Sequence, residues 1–420
     1  MTKINSLTGM PDLHDSEDKK SFSSKLFILE KKLKKIFTNF NFKEIRTPIL
    51  EDANLFLRSV GSTSDIVNKE IYSFNDRNNK AIALRPEGTA SVIRSIIERK
   101  LENSIHKLWY LGPMWRYERP QKGRYRQFNQ AGIEILGMPE GLPEFETISL
   151  VCSIIQELNI KNCVIKINHL GSPDEKEKFS SALFSFLKEY EHMLDEKDKL
   201  RLRNNPLRVL DTKNLDTQKI LKEAPSIKDF IDDASLLLLK KIKNQFSDIC
   251  KIDIDHSLVR GLDYYSGFVF EAISFDLGAQ DSFLGGGRYD QLSSQLGGKE
   301  MPSIGFAVGL ERLSEIVDVE VDTKIKISFI IATSNLEENA YKIAHQMRRL
   351  NNEVILDCYL QEGSLKSKLR KAHKNNSDYA IIVGEEELEN NTVIIKSLKD
   401  ELTDQKVMSV DKLYSFFQEL

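Results

Sequence analysis

The chain has 420 residues, 29% of them charged and 40% hydrophobic, with a formal net charge of -3. This composition excludes a disordered tail, a collagen and a coiled-coil rod, and at roughly 100–200 residues per domain the length predicts two to four domains. The near-neutral balance excludes a polycationic coat for nucleic acid, yet leaves room for a local basic site.

No apolar run approaches the ~18 residues that a membrane span needs. Met1 to Asp15 has neither the charged head nor the apolar stretch of a signal peptide, so a cytoplasmic location is expected. Cys152, Cys163, Cys250 and Cys358 form no CxxC pair, and the seven histidines form no HxxxH pair. Reduced thiols, and no metal held directly by protein side chains, are expected.

Along the chain, Leu26, Leu29, Leu33, Ile36 and Phe37 recur at the 3–4 spacing of an amphipathic helix over 24–40. Glu44 to Leu50 is β-rich, and Pro48 places it at a strand edge or end. Residues 105–117 and 127–136 read as two antiparallel strands joined by a charged loop. A helix over 144–158 and a strand over 161–168 follow. From about 173 to 248 the chain is leucine- and lysine-rich with helical periodicity, clearest from Ala234 to Phe246, and reads as a helical insertion between two halves of a sheet domain. Strands are expected over 266–277, 280–285 and 303–308, with a glycine run after the second and a helix from 309. Asp318 to Thr323 reads as a linker. Beyond it, strands over 326–332, 353–357, 378–383 and 392–397 and helices over 335–350, 365–374 and 410–418 make a βαβα module with a parallel or mixed sheet.

Four constellations bear on chemistry. The loop from Arg116 to Arg126 holds five basic side chains and one acid, with Tyr117 and Tyr125 interleaved. Guanidinium groups bind phosphate oxygens through paired donors, and tyrosines stack on bases; a salt-bridged hairpin tip fits the same residues. Leu84-Arg-Pro-Glu-Gly-Thr89 sets a carboxylate and a hydroxyl beside glycine, which suits an ammonium ligand but equally a plain turn. Leu258-Val-Arg-Gly-Leu-Asp-Tyr-Tyr-Ser-Gly267 ends in adjacent tyrosines; within a strand these point to opposite faces, one into a pocket and one into packing. Gly305 to Leu313 reads as a strand followed by a helix with Arg312 in its first turn, where a cation meets the positive end of the helix dipole unless an anion or solvent intervenes.

Together these segments resemble histidyl-tRNA synthetases, a class II aminoacyl-tRNA synthetase family, over nearly the whole chain from Gly9-Met-Pro-Asp12 onward. Thr47-Pro48 resembles the first class motif, 109–137 the second and Gly305–Leu313 the third. Two signatures are specific to the histidine enzymes, Leu258 to Tyr265 and Gly285-Gly-Gly-Arg-Tyr-Asp290, and Asn205-Pro-Leu-Arg-Val-Leu-Asp-Thr-Lys-Asn214 is similar to the family's insertion sequence. Asn129 stands where the family often has histidine.

The resemblance implies an α+β fold: an antiparallel sheet of about six strands flanked by helices, a helical insertion and a C-terminal α/β anticodon-binding domain. The domains implied are a catalytic domain in two parts, 1–172 and 251–318, the insertion over 173–250 and the anticodon-binding domain over 325–420. It implies a histidine–tRNA ligase that uses ATP and Mg2+ to form histidyl-adenylate, charges tRNA(His), and works as a homodimer without an editing domain. Arg116, Arg260 and Arg312 match the catalytic, ATP-binding arginines. Glu87, Gly88 and Thr89 match the ammonium-binding segment, and Gln130 a position near the substrate carboxylate. Glu134 and Tyr265 match the imidazole-recognising residues, with Tyr264 and Tyr289 as pocket walls. Arg119, Gln121, Lys122 and Arg124 are expected to meet the tRNA acceptor stem. Lys366, Lys368, Arg370, Lys371 and Lys374 would form a basic helix face for RNA, although a solvated face fits these residues taken alone. The competing expectation is the catalytically silent relative, the regulatory subunit of ATP phosphoribosyltransferase, which usually lacks the C-terminal domain.

Overall fold

The computed structural model describes residues 4–14, 21–60, 69–121, 123–278, 281–318, 324–333, 336–359, 363–399 and 405–420. The chain forms two compact units, Met1–Val319 and Glu320–Leu420; most of the expected 318–323 linker, and the expected helix's first residue at 335, lie outside the described residues.

The first unit is built on an eight-stranded sheet. Its six central strands are antiparallel, in the order His106–Trp115, Gln127–Leu136, Ser303–Gly309, Ser282–Arg288, Ser266–Ser274 and Cys163–His169. The two short edge strands, Lys43–Glu44 and Ile252–Ile254, pair in parallel and extend the six strands that the resemblance implies.

Side-chain alternation divides the two faces of this sheet. Ala131, Ile133, Ile135, Phe268, Phe270, Ile304, Phe306 and Val308 face one core, covered by the helices Phe22–Asn39, Leu142–Glu157 and Asp233–Phe246. The 22–39 helix buries Leu26, Leu29, Leu33, Ile36 and Phe37, the stripe read from its spacing. The intervening positions Gln130, Gly132, Glu134, Gly305, Ala307 and Gly309 belong to the other face. There a second cluster gathers Tyr110, Tyr264, Tyr265 and Tyr289 beside Val92, Ile93 and Ile96 of the Thr89–Glu98 helix.

The glycine run does not follow the strand expected over 280–285 but lies inside the Ser282–Arg288 strand, since Gly285, Gly286, Gly287 and Arg288 all pair in the sheet. Glycine ordinarily weakens a strand; here the missing side chains make room for neighbours. The stretch read as an insertion also divides. Phe179, Leu183, Leu187, Leu202, Val209 and Ile227 form a separate helical core, whereas Leu239, Ile242 and Phe246 of the last helix pack into the main core.

The second unit has a five-stranded sheet in the order Ile355–Cys358, Lys326–Ile331, Tyr379–Val383, Thr392–Ser397, Lys406–Ser409. The first three strands are parallel and the last two pair antiparallel. Phe329 and Ile331 face the helices Glu337–Leu350 and Val410–Glu419, while Ile330 faces the helix Leu365–Lys374. On that last helix Lys366, Arg370, Lys371 and Lys374 are exposed. Lys368 turns inward and donates to the Ile331 carbonyl at 2.8 Å, so the expected basic face has four members rather than five.

One buried ion pair anchors the large unit. Arg288 donates to Glu144 at 2.5 Å and to the Met138 carbonyl at 3.0 Å, with Arg288 2% and Glu144 0% exposed. Glu144 also accepts from the Gly141 backbone at 2.6 Å, capping the 142–157 helix. Removing one partner strands the other charge in a dry interior. Arg288→Ala should therefore lower unfolding free energy by about 3–5 kcal/mol, read by urea denaturation, with Arg288→Met/Glu144→Gln recovering part of the loss.

Candidate active site

A cavity of about 220 Å³ opens on the polar face of the large sheet, lined by Glu87, Thr89, Arg116, Glu118, Arg124, Gln130, Arg260, Tyr264, Tyr265, Glu311 and Arg312 among others. Segments far apart in sequence meet here because the 106–136 hairpin pairs directly with the 303–309 strand, beside 282–288 and 266–274. Gly88, Glu134 and Tyr289 stand just behind this lining. Arg119 and Gln121 are exposed and outside it, and Lys122 lies outside the described residues.

The cationic wall is held by short tethers. Arg116 donates to the Pro86 carbonyl at 2.9 Å and lies over the Phe128 ring at 5.2 Å. Arg260 donates to Glu271 at 2.7 Å, while its Nε is buried with no partner among the described residues. Burial pulls the Arg260 pKa down, but the Glu271 carboxylate together with Tyr265 and Tyr264 leaves it above its ordinary value. Arg312 lies in the first turn of the Leu310–Ile316 helix and donates to the Ser282 carbonyl. Burial, then the like charge of Arg124, pulls the Arg312 pKa down, with Arg116 adding to the same repulsion. A cavity with converging guanidinium groups attracts a polyanion.

The carboxylate wall is built differently. Glu87 is buried and accepts from the backbone N–H groups of Thr89 and Ala90 at 2.6 and 3.0 Å. It thus caps the Thr89–Glu98 helix from just outside. Burial raises its pKa, against the opposing pull of those two bonds and of Arg116. Glu134 is 0% exposed, accepting from the Thr89 hydroxyl at 2.7 Å and from the Tyr289 hydroxyl. Burial pushes its pKa up to about 8, against those two bonds. Gly305 makes this possible, because a side chain there would collide with the Glu134 carboxyl. Gly285 likewise leaves space for the Arg260 guanidinium, and Gly88 and Gly132 for the Tyr110 ring.

Tyr264 and Tyr265 correct the strand expectation. The strand begins at Ser266, and the two tyrosines lie in the turn before it. Both are buried, their ring centroids 4.6 Å apart, and Tyr289 meets each of them edge-on at 5.7 and 6.5 Å. A turn frees successive side chains from strand alternation, so both enter one cluster.

The charged loop is part of the hairpin and not a free tip. Its Arg126 and Gln127 backbone N–H groups donate to the Gly9 carbonyl at 2.8 and 3.1 Å, and Arg124 pairs with Glu118 at 3.1 Å. Tyr117 is exposed with one ring face covered by Arg126 at 4.0 Å, and Tyr125 packs on Phe22.

Three residues without a sequence-level assignment belong to the site. Glu271 pairs with Arg260. Tyr110 is buried beside Gln130, its hydroxyl 3.5 Å from the Gln130 carbonyl oxygen. Glu311 accepts from the Asn129 backbone and side-chain N–H groups at 2.8 and 3.1 Å, and its other oxygen is buried with no partner among the described residues. Burial pushes the Glu311 pKa up to about 7, against the Asn129 bonds. Only Glu271 carried a signal, as the one charge in an otherwise uncharged strand.

The raised Glu134 pKa has a signed consequence. The folded chain holds this proton up to about pH 8, while an unfolded glutamate releases it near ~4.3. The associated stability is complete at low pH and is lost as pH climbs to the folded value. Wild-type protein should therefore lose denaturation midpoint relative to Glu134→Gln between about pH 5 and 8, with no further relative loss above that. Parallel midpoint curves would contradict a protonated Glu134.

Residues 21–313 match the family model described as Histidyl-tRNA synthetase, and residues 325–420 match Anticodon binding domain. A histidine–tRNA ligase of Francisella philomiragia is 40% identical over the full length of both chains. The chloroplastic histidine–tRNA ligase of Gracilaria tenuistipitata is 41% identical over 92% of this chain and 91% of its own. A crystal structure of the apo histidyl-tRNA synthetase of S. aureus superposes with a TM-score of 0.78 at 30% identity, covering 100% of each chain. With the family model spanning most of its length and full-length relatives above this identity, the chain belongs to the histidyl-tRNA synthetase family.

Proposed function

We propose that the chain is a histidine–tRNA ligase. It activates L-histidine with ATP to histidyl-adenylate and pyrophosphate, then transfers the histidyl group to the 3′ end of tRNA(His). The observation that carries this reading is the convergence of Arg116, Arg260 and Arg312 with Glu87, Thr89 and Gln130 on one cavity, in a chain whose ligase relatives match it end to end. That full-length likeness does not favour the regulatory-subunit alternative.

Activation is an in-line displacement at the α-phosphorus, which needs positioning and charge stabilisation more than covalent help. Arg116 and Arg260 hold the α-phosphate, and Arg312 meets the γ-phosphate of bent ATP. Glu87 takes the histidine ammonium group; its carboxylate oxygens keep lone pairs beyond those used by Thr89 and Ala90. Glu134, fixed by Thr89 and Tyr289, and Tyr265 meet the imidazole, and Tyr264 and Tyr289 wall it in. A site that pairs both imidazole nitrogens rejects amino acids lacking them by ~10⁴–10⁵, because buried polar groups would go unpaired.

Mg2+ is part of the same reading. The unpartnered Glu311 oxygen on the cavity wall fits an ion held mainly by substrate phosphates with one or two carboxylates. The ion supplies charge neutralisation when bound. Arg119, Gln121, Lys122 and Arg124 reach the acceptor stem, and the exposed Lys366, Arg370, Lys371 and Lys374 serve RNA phosphates in the 325–420 unit. A homodimer is part of the same reading, with Ile49 and Leu50, next to the Thr47-Pro48 segment, and Leu57 and Phe74 exposed as large hydrophobic side chains. A cytoplasmic location fits the four free cysteines; among the described residues no helix is long and apolar enough to cross a membrane.

Charging of tRNA(His) with labelled histidine tests the function, and purified folded protein that charges no tRNA with histidine would refute it. Arg260→His should slow adenylate formation by at least ~10²-fold, the scale of one preorganised charge contact; wild-type turnover would remove Arg260 from the chemistry. Deleting 325–420 should spare adenylate formation while weakening charging, and equal loss of both would refute the division of labour.

A further inference from the structure

The segment from Leu258 to Tyr265 carries two substrate-facing side chains but contains no helix or strand. A flexible turn would hold Arg260 and Tyr265 poorly, so something must fix it. The contacts between them come from the helical region around 173–231. Arg208 donates through Nε and Nη2 to the same Asp263 oxygen at 3.2 and 3.0 Å, and through Nη2 to the Gly261 carbonyl at 3.1 Å. Asn205 donates to that Asp263 oxygen at 3.0 Å. Lys176 donates to the Tyr265 carbonyl at 2.7 Å. The pattern along the chain alternates: Arg260 lines the cavity, Gly261 is tethered, Leu262 lines, Asp263 is tethered, Tyr264 lines, and Tyr265 lines while its carbonyl is tethered.

The tethers are partly sheltered. Arg208 is 16% and Asp263 26% exposed, and a narrow second cavity lined by Lys176, Asn205, Arg208, Arg260, Asp263 and Tyr265 lies behind the turn. Sheltered, charge-assisted hydrogen bonds are stronger than neutral ones. Arg208 and Asn205 are themselves fixed by local structure. Asn205 caps the Pro206–Asp211 turn through the Leu207 N–H at 3.2 Å, and Leu207 and Val209 are buried in the helical core. The clamp is therefore built on a packed element, as a positioning device requires.

We propose that Arg208 and Asp263, with Asn205 and Lys176 beside them, form a positioning clamp by which the helical region sets the geometry of Arg260 and Tyr265. The clamp touches no substrate and acts through the turn. The kinetic half of this inference rests on the assignment of Arg260 and Tyr265 to ATP and histidine, so the test carries one readout that needs no activity.

Full-length wild type, Arg208→Ala, Arg208→Lys and Asp263→Asn are compared by amide hydrogen exchange over 258–265 and by histidine-dependent ATP–pyrophosphate exchange. Arg208→Ala and Asp263→Asn should speed amide exchange in that segment by at least ~10-fold, the scale of one charge-assisted hydrogen bond, while the central strands keep wild-type protection. They should lower kcat/KM for histidine by a similar ~10-fold, and Arg208→Lys should recover part of both. Unchanged protection over 258–265 overturns the clamp. Lost protection with wild-type kcat and KM overturns its role in positioning. Should Arg208→Ala not fold, the same two readouts on Asp263→Asn decide. Wild-type protein inactive with histidine would count against the ligase reading, while amide exchange would still decide the clamp.

Discussion

The repulsion among guanidinium groups that share one small cavity is the constraint around which the large unit is arranged. Arg116, Arg124, Arg260 and Arg312 all line it, and after burial the like charges of Arg124 and Arg116 pull the Arg312 pKa down. Such a cluster persists only if each cation is tethered while open valence remains for a ligand. The Pro86 and Ser282 carbonyls, Glu118 and Glu271 provide the tethers. The sheet provides the room, by placing Gly285 and Gly305 where any side chain would collide with Arg260 or Glu134. The large residues between them, such as Phe270 and Phe306, fill the opposite core.

The net charge of -3 concealed this arrangement, since acids elsewhere cancel the local excess. Glu118 and Glu271 pair with Arg124 and Arg260, but the other carboxylates at the cavity do little to cancel it. Glu134 and Glu311 are pushed toward their neutral forms by burial, and Glu87 is engaged by a helix terminus. The site therefore separates a guanidinium-rich wall, which we propose takes phosphate, from a wall of buried, hydrogen-bonded carboxylates, which we propose takes the imidazole.

Local periodicity made the long elements legible. The stripe of the 22–39 helix and the hairpin of 106–115 with 127–136 were readable because each buries a face in its own pattern. The Thr89–Glu98 helix was not, because Val92, Ile93, Ile96 and Ile97 are poor helix formers and the helix is held by the Glu87 cap and by burial. The short edge strands carry too few residues for a pattern. In the site, Arg116, Arg260, Arg312 and Glu87 stood in recognisable motifs. Glu271, Tyr110 and Glu311 acquire meaning only through partners 11, 20 and 182 positions away, and the sharing of one pocket by Tyr264 and Tyr265 depended on where a strand begins.

The central claim is that the converging arginines are a polyphosphate site rather than a set of structural ion pairs. Titration calorimetry of ATP into wild-type protein and Arg312→Ala tests it most directly. The account predicts ATP binding by wild type that weakens by at least ~10-fold in the variant, the scale of one charge-assisted contact to phosphate. Equal affinity in the two proteins, or no ATP binding by folded wild type, would contradict it.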